Sequence, residues 1–335
     1  MVMQHTHPFA KFIRILGRGK RGARSLELGE AYDAMTMILK NEVQPEQLGA
    51  FLMLIRVKEE SPEEVAGFVH AIREFKGWSS NELAQTVDLD WSSYAGKRRH
   101  LPWFVLSLLA LAQGGRRIFV HGSQGVSEDR LYTRSVFLTL GLPVAENLTE
   151  AIALIETQGL CYLELSDLSP ELDQLMSLKS LLGLRSPVHT VARMLNPASA
   201  ACQMQGIFHP GYQEIHQGAA HLLGQKSCIT IKGDGGEIEV NPDAAVALYE
   251  VRDTKTFRSE WPAYFTGRRH LKEDSLEPEV LREVWTGRQN HEYGVAAIIS
   301  TMAVALYLMN GKLTHAEARA MARELWEQRN KSILG

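Results

Sequence analysis

The chain has 335 residues, 45% hydrophobic and 22% charged, enough to bury a large core in one big or two unequal domains. Its net charge of −3 decides nothing about a polyanionic partner, so only the distribution of charge bears on that question. No uninterrupted apolar run reaches spanning length, the N-terminus lacks a signal pattern, and Cys161, Cys202 and Cys228 lack metal-type spacing; neither a membrane span nor a cysteine metal site is expected, and a reducing cytoplasm is.

Residues 1–24 hold Lys11, Arg14, Arg18, Lys20, Arg21 and Arg24 and no acidic residue. Such a run is either a solvated tail or a contact surface for a polyanion. Phe9 to Leu16 reads as a short helix and Gly17 to Gly22 as a flexible basic loop. The glycine spacing there mimics a dinucleotide motif but lacks the strand–turn–helix context that motif needs. Leu28, Ala31, Met35, Ile38 and Leu39 recur at helical spacing, with a stop at Asn41. Pro45 opens a second helix with Leu48, Phe51, Leu52 and Ile55 on one face. Ser61-Pro62-Glu63-Glu64 supplies a cap, a first-turn proline and a glutamate three residues after the cap, for a helix running to about Phe75. Gly77 to Asn81 reads as a linker, so residues 1–77 are expected to form a helical domain.

Beyond the linker, strands alternate with helices. Leu101–Gln113 reads as a helix and Arg117–Val120 as a strand ending at His121-Gly122. Leu131–Leu140 is helical, Cys161–Leu165 a strand, Glu171–Leu182 helical, and Ser227–Ile231 a strand. The turn Gly233–Gly236 leads into a β run from Glu237 to Val240, and Glu279 to Asn330 is helical with a break at Gly311-Lys312. This alternation implies an α/β fold with a central sheet flanked by helices.

Three blocks carry a family pattern: Leu39–Val43 with Leu48–Lys58 and Glu63–Gly67; Gly183-Leu184-Arg185-Ser186 with Leu195-Asn196-Pro197-Ala198; and the helical tail including Ala303–Tyr307. In combination the chain resembles the anthranilate phosphoribosyltransferases (glycosyltransferase family 3, nucleoside phosphorylase-like fold) along nearly its whole length. Gly17–Lys20, Ala23-Arg24, His121-Gly122 and Val126–Asp129 are similar to a divergent, YbiB-type branch of TrpD-related proteins. The resemblance implies a small helical domain, completed by residues 170–194, hinged to a large α/β domain of residues 82–168 and 196–335. It also implies a homodimer made through the helical domain and, for the divergent branch, nucleic-acid binding.

Set against the family motifs, the sequence departs at the phosphate-handling positions. The glycine-rich loop falls near Ser92–Gly96, where only Gly96 remains a glycine. The metal-binding hydroxyl falls on Phe104, with Ser107 the nearest hydroxyl. The lysine of the next motif is replaced in Val120-His121-Gly122-Ser123, and an acidic pair reads Glu237-Ile238-Glu239. A remnant cleft is therefore expected at Gly96, His121, Gly122, Ser123, Lys179 and Arg185; the last two also fit a surface ion pair. No catalytic or metal-ligating residue is assigned. Lys97, Arg98, Arg99 and His100 gather cations beside that loop. With Arg14, Arg18, Lys20, Arg21 and Arg24 they are the expected contacts to single-stranded nucleic acid, DNA or RNA, without sequence preference. Arg116-Arg117 and Arg268-Arg269-His270 with Lys272 are further clusters. Phe9, Phe12, Tyr94, Trp103 and Phe104 are available for base stacking, although Trp103 fits a core position equally well. No cofactor is expected on this reading. The alternative is a transferase using phosphoribosyl diphosphate (PRPP) or a related phosphosugar with magnesium.

Overall fold

Four helices open the chain: α1 (Ala10–Gly17), α2 (Leu28–Leu39), α3 (Pro45–Lys58) and α4 (Pro62–Phe75). They belong to a computed structural model that describes residues 6–335 except 20, 79–84, 126, 128, 268, 269, 271 and 274. The α4 start is a complete capping box. The Ser61 hydroxyl accepts from Glu64 N–H, and the Glu64 carboxylate accepts from Ser61 N–H at 2.8 Å. Glu64 is fully buried, because its carboxylate also accepts from Leu26 N–H and from the Lys58 ammonium. Gly67 lets α4 lie directly on α2: a Cβ there would stand 2.4 Å from the Leu28 carbonyl oxygen.

The second layer is an eight-stranded sheet. Its elements, in chain order, are β1 (Leu89–Ser93), α5 (Phe104–Gln113), β2 (Ile118–Gly122), α6 (Thr133–Leu140), β3 (Val144–Ala145), α7 (Leu148–Gln158) and β4 (Leu160–Glu164). There follow α8 (Leu165–Leu168), α9 (Pro170–Ser177), α10 (Lys179–Leu182), α11 (Val188–Val191), β5 (Cys202–Ile207), α12 (Tyr212–Leu222) and β6 (Ser227–Lys232). The chain ends with β7 (Val246–Arg252), β8 (Lys255–Trp261), α13 (Glu279–Thr286), α14 (Glu292–Met309) and α15 (His315–Gln328). The sheet order is β3-β4-β2-β1-β5-β6-β7-β8, parallel from β3 to β6 and antiparallel from β6 through β8. The molecule is thus a small helical domain on a large α/β domain with a mixed central sheet. β1 lies in the middle of the sheet, and Tyr94, just past its C-terminal end, where open α/β sheets hold ligands, packs in the same core cluster as the helical domain.

The stretch 170–194 forms three short α-helices and a closing 3₁₀ turn, Ala192–Met194, and it packs with the helical domain. Lys76 of the α4 end pairs with Glu171 at 3.1 Å, and the Arg73 guanidinium donates to the Met194 and Leu195 carbonyl oxygens. α14 is apolar and long enough to cross a membrane, but 78% of it is buried inside the fold, among α5, α15 and the sheet. The β run expected at Glu237–Val240 is not a strand. All four residues are buried, with Ile238 and Val240 in the core while Glu237 and Glu239 turn to the loop after β1.

Candidate anion-binding site at the end of β1

β1 delivers Ser93 to the sheet edge, and the chain turns through Tyr94, Ala95 and Gly96. Gly96 has φ +67°, and a Cβ on it would meet the Tyr132 ring at 2.9 Å, so the glycine is required there. The turn aims two successive N–H groups at one point, the arrangement that makes an anion-binding concavity. The group held there is the chain's own Glu237. One of its carboxylate oxygens accepts from Ala95 N–H at 2.6 Å and Gly96 N–H at 2.7 Å, and the other from the Ser93 hydroxyl at 2.7 Å. The Ser93 hydroxyl in turn lies 2.6 Å from that of Thr133.

Lys97, expected as a nucleic-acid contact, is instead completely buried. Its ammonium donates to Asp234 and, at 2.6 Å, to Glu239, whose other oxygen accepts the Phe104 N–H at the start of α5 at 2.9 Å. Burial alone would pull the Lys97 ammonium down, but Glu239 and Asp234 hold it above its usual value. One cation therefore serves two carboxylates. Asp234, despite burial, is held below its usual range by Lys97, whereas burial drives Glu239 up to about 7 against the pull of Lys97. His100 is likewise buried, stacked on Tyr293 and 3.4 Å from Glu273. Only Arg98 and Arg99 of this cluster reach solvent.

The remaining expectations divide in the same way. Arg14, Arg18 and Arg21 are exposed, Arg24 forks onto Glu30 at 2.7 and 2.8 Å, and Lys20 lies outside the described residues, as do Arg268 and Arg269. Arg117 pairs with Asp88 and His270 with Asp243. Phe9, Phe12, Tyr94, Trp103 and Phe104 are all buried, so none is a stacking platform; Trp103 is a core residue. His121 does not line a cleft. It is inaccessible, with Nδ1 2.7 Å from the Tyr94 hydroxyl and Nε2 3.4 Å from Asp90. Gly122 packs so closely on β1 that a Cβ would fall 2.1 Å from the Ser93 carbonyl oxygen, and the half-buried Ser123 faces the Met176 sulfur. Ser107 bonds the Ile298 carbonyl inside the core, which removes it as a metal ligand.

Beside this loop a shallow cleft opens between the helical and α/β domains, lined by Arg56, Glu60, Arg185, Arg193, Phe208 and Tyr212 among others. Arg185 stands exposed at it, and Lys179 is exposed nearby on α10. The buried Arg193 guanidinium donates to the carbonyl oxygens of Gly206 and His189 and lies over the Tyr94 ring, and its burial lowers it to about 10. Arg56 donates to the Tyr212 hydroxyl, and Arg130 to the carbonyls of Ala95 and Gly96. Among the described residues none of Arg56, Arg130, Arg185 and Arg193 pairs with a carboxylate within 4.0 Å. Buried Glu60 also lines the cleft, joined to Arg56 through the Tyr212 hydroxyl, and Glu237 acts on Arg193 and Arg185 from a distance; positive charge still exceeds negative, which favours a negative group there. Burial pushes His189 and His216, both at the cleft, down to about 3, which keeps them neutral. Arg56, Arg130, Arg193 and Phe208 come from separate elements, and no local motif marks them.

Residues 10–76 match the helical bundle domain of the glycosyl transferase family. Anthranilate phosphoribosyltransferase of Burkholderia cenocepacia (strain HI2424) is 26% identical over 301 residues, covering 88% of this chain and 87% of that protein. YbiB of Escherichia coli (strain K12) is 25% identical over 262 residues, covering 73% and 80%. In fold, the chain is similar to the anthranilate phosphoribosyltransferase TrpD of Thermus thermophilus, with a TM-score of 0.75 at 20% identity over 98% of this chain and 99% of that one. The Saccharomyces cerevisiae enzyme, solved with PRPP and Mg, gives 0.73 at 17% identity over 97% and 95%. The helical bundle, the mixed sheet and these likenesses make this chain an anthranilate phosphoribosyltransferase-like protein of the YbiB type.

Proposed function

We propose that this protein binds single-stranded nucleic acid with little sequence preference and does not transfer a phosphoribosyl group. The observation that carries the reading is the set of arginines at the interdomain cleft that lack carboxylate partners, flanked by exposed Arg98 and Arg99 beside the loop. Arg14, Arg18 and Arg21 add exposed charge on the N-terminal arm. Backbone phosphates supply the counter-charge such a surface lacks, and a partner held by charge is indifferent to base sequence. Exposed Phe208 at the cleft replaces the buried aromatics as the ring available for a base.

The fold implies magnesium and PRPP, and the residues present do not fit them. The carboxylates of Glu237 and Glu239 are already engaged by N–H groups, a hydroxyl and the Lys97 ammonium. Among the described residues no group of three or more His, Cys, Asp or Glu is placed to hold a metal ion. A homodimer through the helical domain is part of the same reading, and Val57, Leu181 and Leu184 are exposed apolar side chains available to it. Three free cysteines, all buried, agree with a cytoplasmic setting.

A labelled oligonucleotide titrated at two salt concentrations tests the reading. Six phosphate contacts would give a log–log salt slope of about −4; absence of binding at low salt rejects it. A second reading, transfer from a phosphosugar to an unknown acceptor, is favoured by the likeness to the anthranilate phosphoribosyltransferases over most of the chain. Calorimetry with PRPP and magnesium decides it: a metal-dependent signal restores the enzyme.

A further inference from the structure

The loop Ser93–Gly96 has the donors of an oxyanion site, and a side chain of the same molecule fills it. Three donors converge on Glu237: the N–H groups of Ala95 and Gly96 and the Ser93 hydroxyl. The carboxylate is 1% exposed, so no water shares these bonds from the surface.

Two independent features hold it in place. The first is steric. The Glu237 backbone runs against Gly206 and Gly233, where an added Cβ would lie 2.7 Å from the Glu237 carbonyl carbon and 1.5 Å from its oxygen respectively. These glycines make room for the inward path of the segment. The second is electrostatic. Lys97, the residue after the loop, clasps Asp234 and Glu239 on either side of Glu237, and Glu239 also caps the first N–H of α5. The segment 234–239 is stapled to the loop at both ends. A carboxylate so held is not a gate that opens for a ligand.

We propose that Glu237 is a permanent resident anion: the chain occupies its own oxyanion site, so the native protein takes no free diphosphate there, and removing this one carboxylate exposes a site for inorganic pyrophosphate. The proposal concerns the loop and not the arginine cleft. Oligonucleotide binding and its salt slope stand or fall separately from it.

The experiment compares the full-length native protein with Glu237→Ala and Glu237→Gln, by calorimetry and thermal melting with inorganic pyrophosphate in metal-free buffer. Glu237 also acts electrostatically on Arg193 and Arg185, so the comparison is repeated with Arg185→Ala and Arg193→Met in all three proteins, and the difference that survives is the readout. Two or three vacated, charge-assisted donors should tighten binding to Glu237→Ala by at least about tenfold. The melting temperature of this variant should rise with pyrophosphate by at least about 2 °C more than that of the native protein. Recovery of folded Glu237→Ala only in the presence of pyrophosphate would be the same result in stronger form. Equal binding to native protein and Glu237→Ala overturns the proposal. If Glu237→Ala does not fold under either condition, Glu237→Gln decides: its neutral amide holds the donors weakly, so a pyrophosphate-dependent rise absent from the native protein supports the proposal and no rise overturns it.

Discussion

Lys97, Arg98, Arg99 and His100 are one cationic run in sequence and four different residues in space. The left-handed turn at Gly96 directs Lys97 inward to Asp234 and Glu239, leaves Arg98 and Arg99 in solvent, and sets His100 against Tyr293. Removing the buried ammonium strands two carboxylates. Lys97→Met should therefore cost about 3–5 kcal/mol in urea unfolding. The loss should also grow with pH. Glu239 titrates at about 7 when folded, above its ordinary 4.5, so the stability tied to its protonated form is complete below about pH 4.5 and lost as pH rises through 7. Without Lys97 the folded value is higher still, so the loss extends to higher pH and is larger, and melts at pH 6 and pH 8.5 would show the widening gap. At the surface the expectation is the reverse. Arg98→Ala with Arg99→Ala should leave stability within about 0.5 kcal/mol, because both side chains are exposed. It should reduce the magnitude of the oligonucleotide salt slope by about 1.4, two contacts at about 0.7 each. An unchanged slope would mean that these arginines are solvated and nothing more.

At the scale of elements, local signals served where the element depends on local physics. The Ser61–Glu64 signature is a working capping box, and Gly141 closes α6 in the left-handed conformation at φ +69°. The close pair α2 and α4 depends on Gly67, and Gly67→Val should destabilise by about 1–3 kcal/mol or more by forcing the helices apart, measured as a lower urea midpoint with an unchanged slope. Glu237–Val240 shows the limit of periodicity. Its alternation is real, since the apolar pair faces the core and the acidic pair faces the loop. No neighbouring strand pairs with it, however, and alternation without a ladder is not a strand.

Across the whole molecule, the interdomain cleft sets the response to acid. His189 and His216 titrate near 6.5 in an unfolded chain and at about 3 when folded, pushed down chiefly by burial and further by Arg185 and Arg193 at His189 and by Arg193 at His216. Their contribution is present above pH 6.5 and lost as pH falls from 6.5 toward 3. Each should cost about 1.4 kcal/mol per pH unit within that window. His216→Gln should remove one proton from the linkage, and a stability series from pH 7 to pH 5 would read the reduced slope. The helical domain, the α/β alternation and the family likeness were legible because helical spacing, caps and motif blocks are properties of neighbouring residues. What only the tertiary structure decided is which charges are spent and which are free. Glu237 and Ala95 are 142 residues apart, and the arginines of the cleft come from different elements of both domains. Burial and counter-charge depend on where the sheet brings distant segments together, and no spacing along the chain encodes that distance.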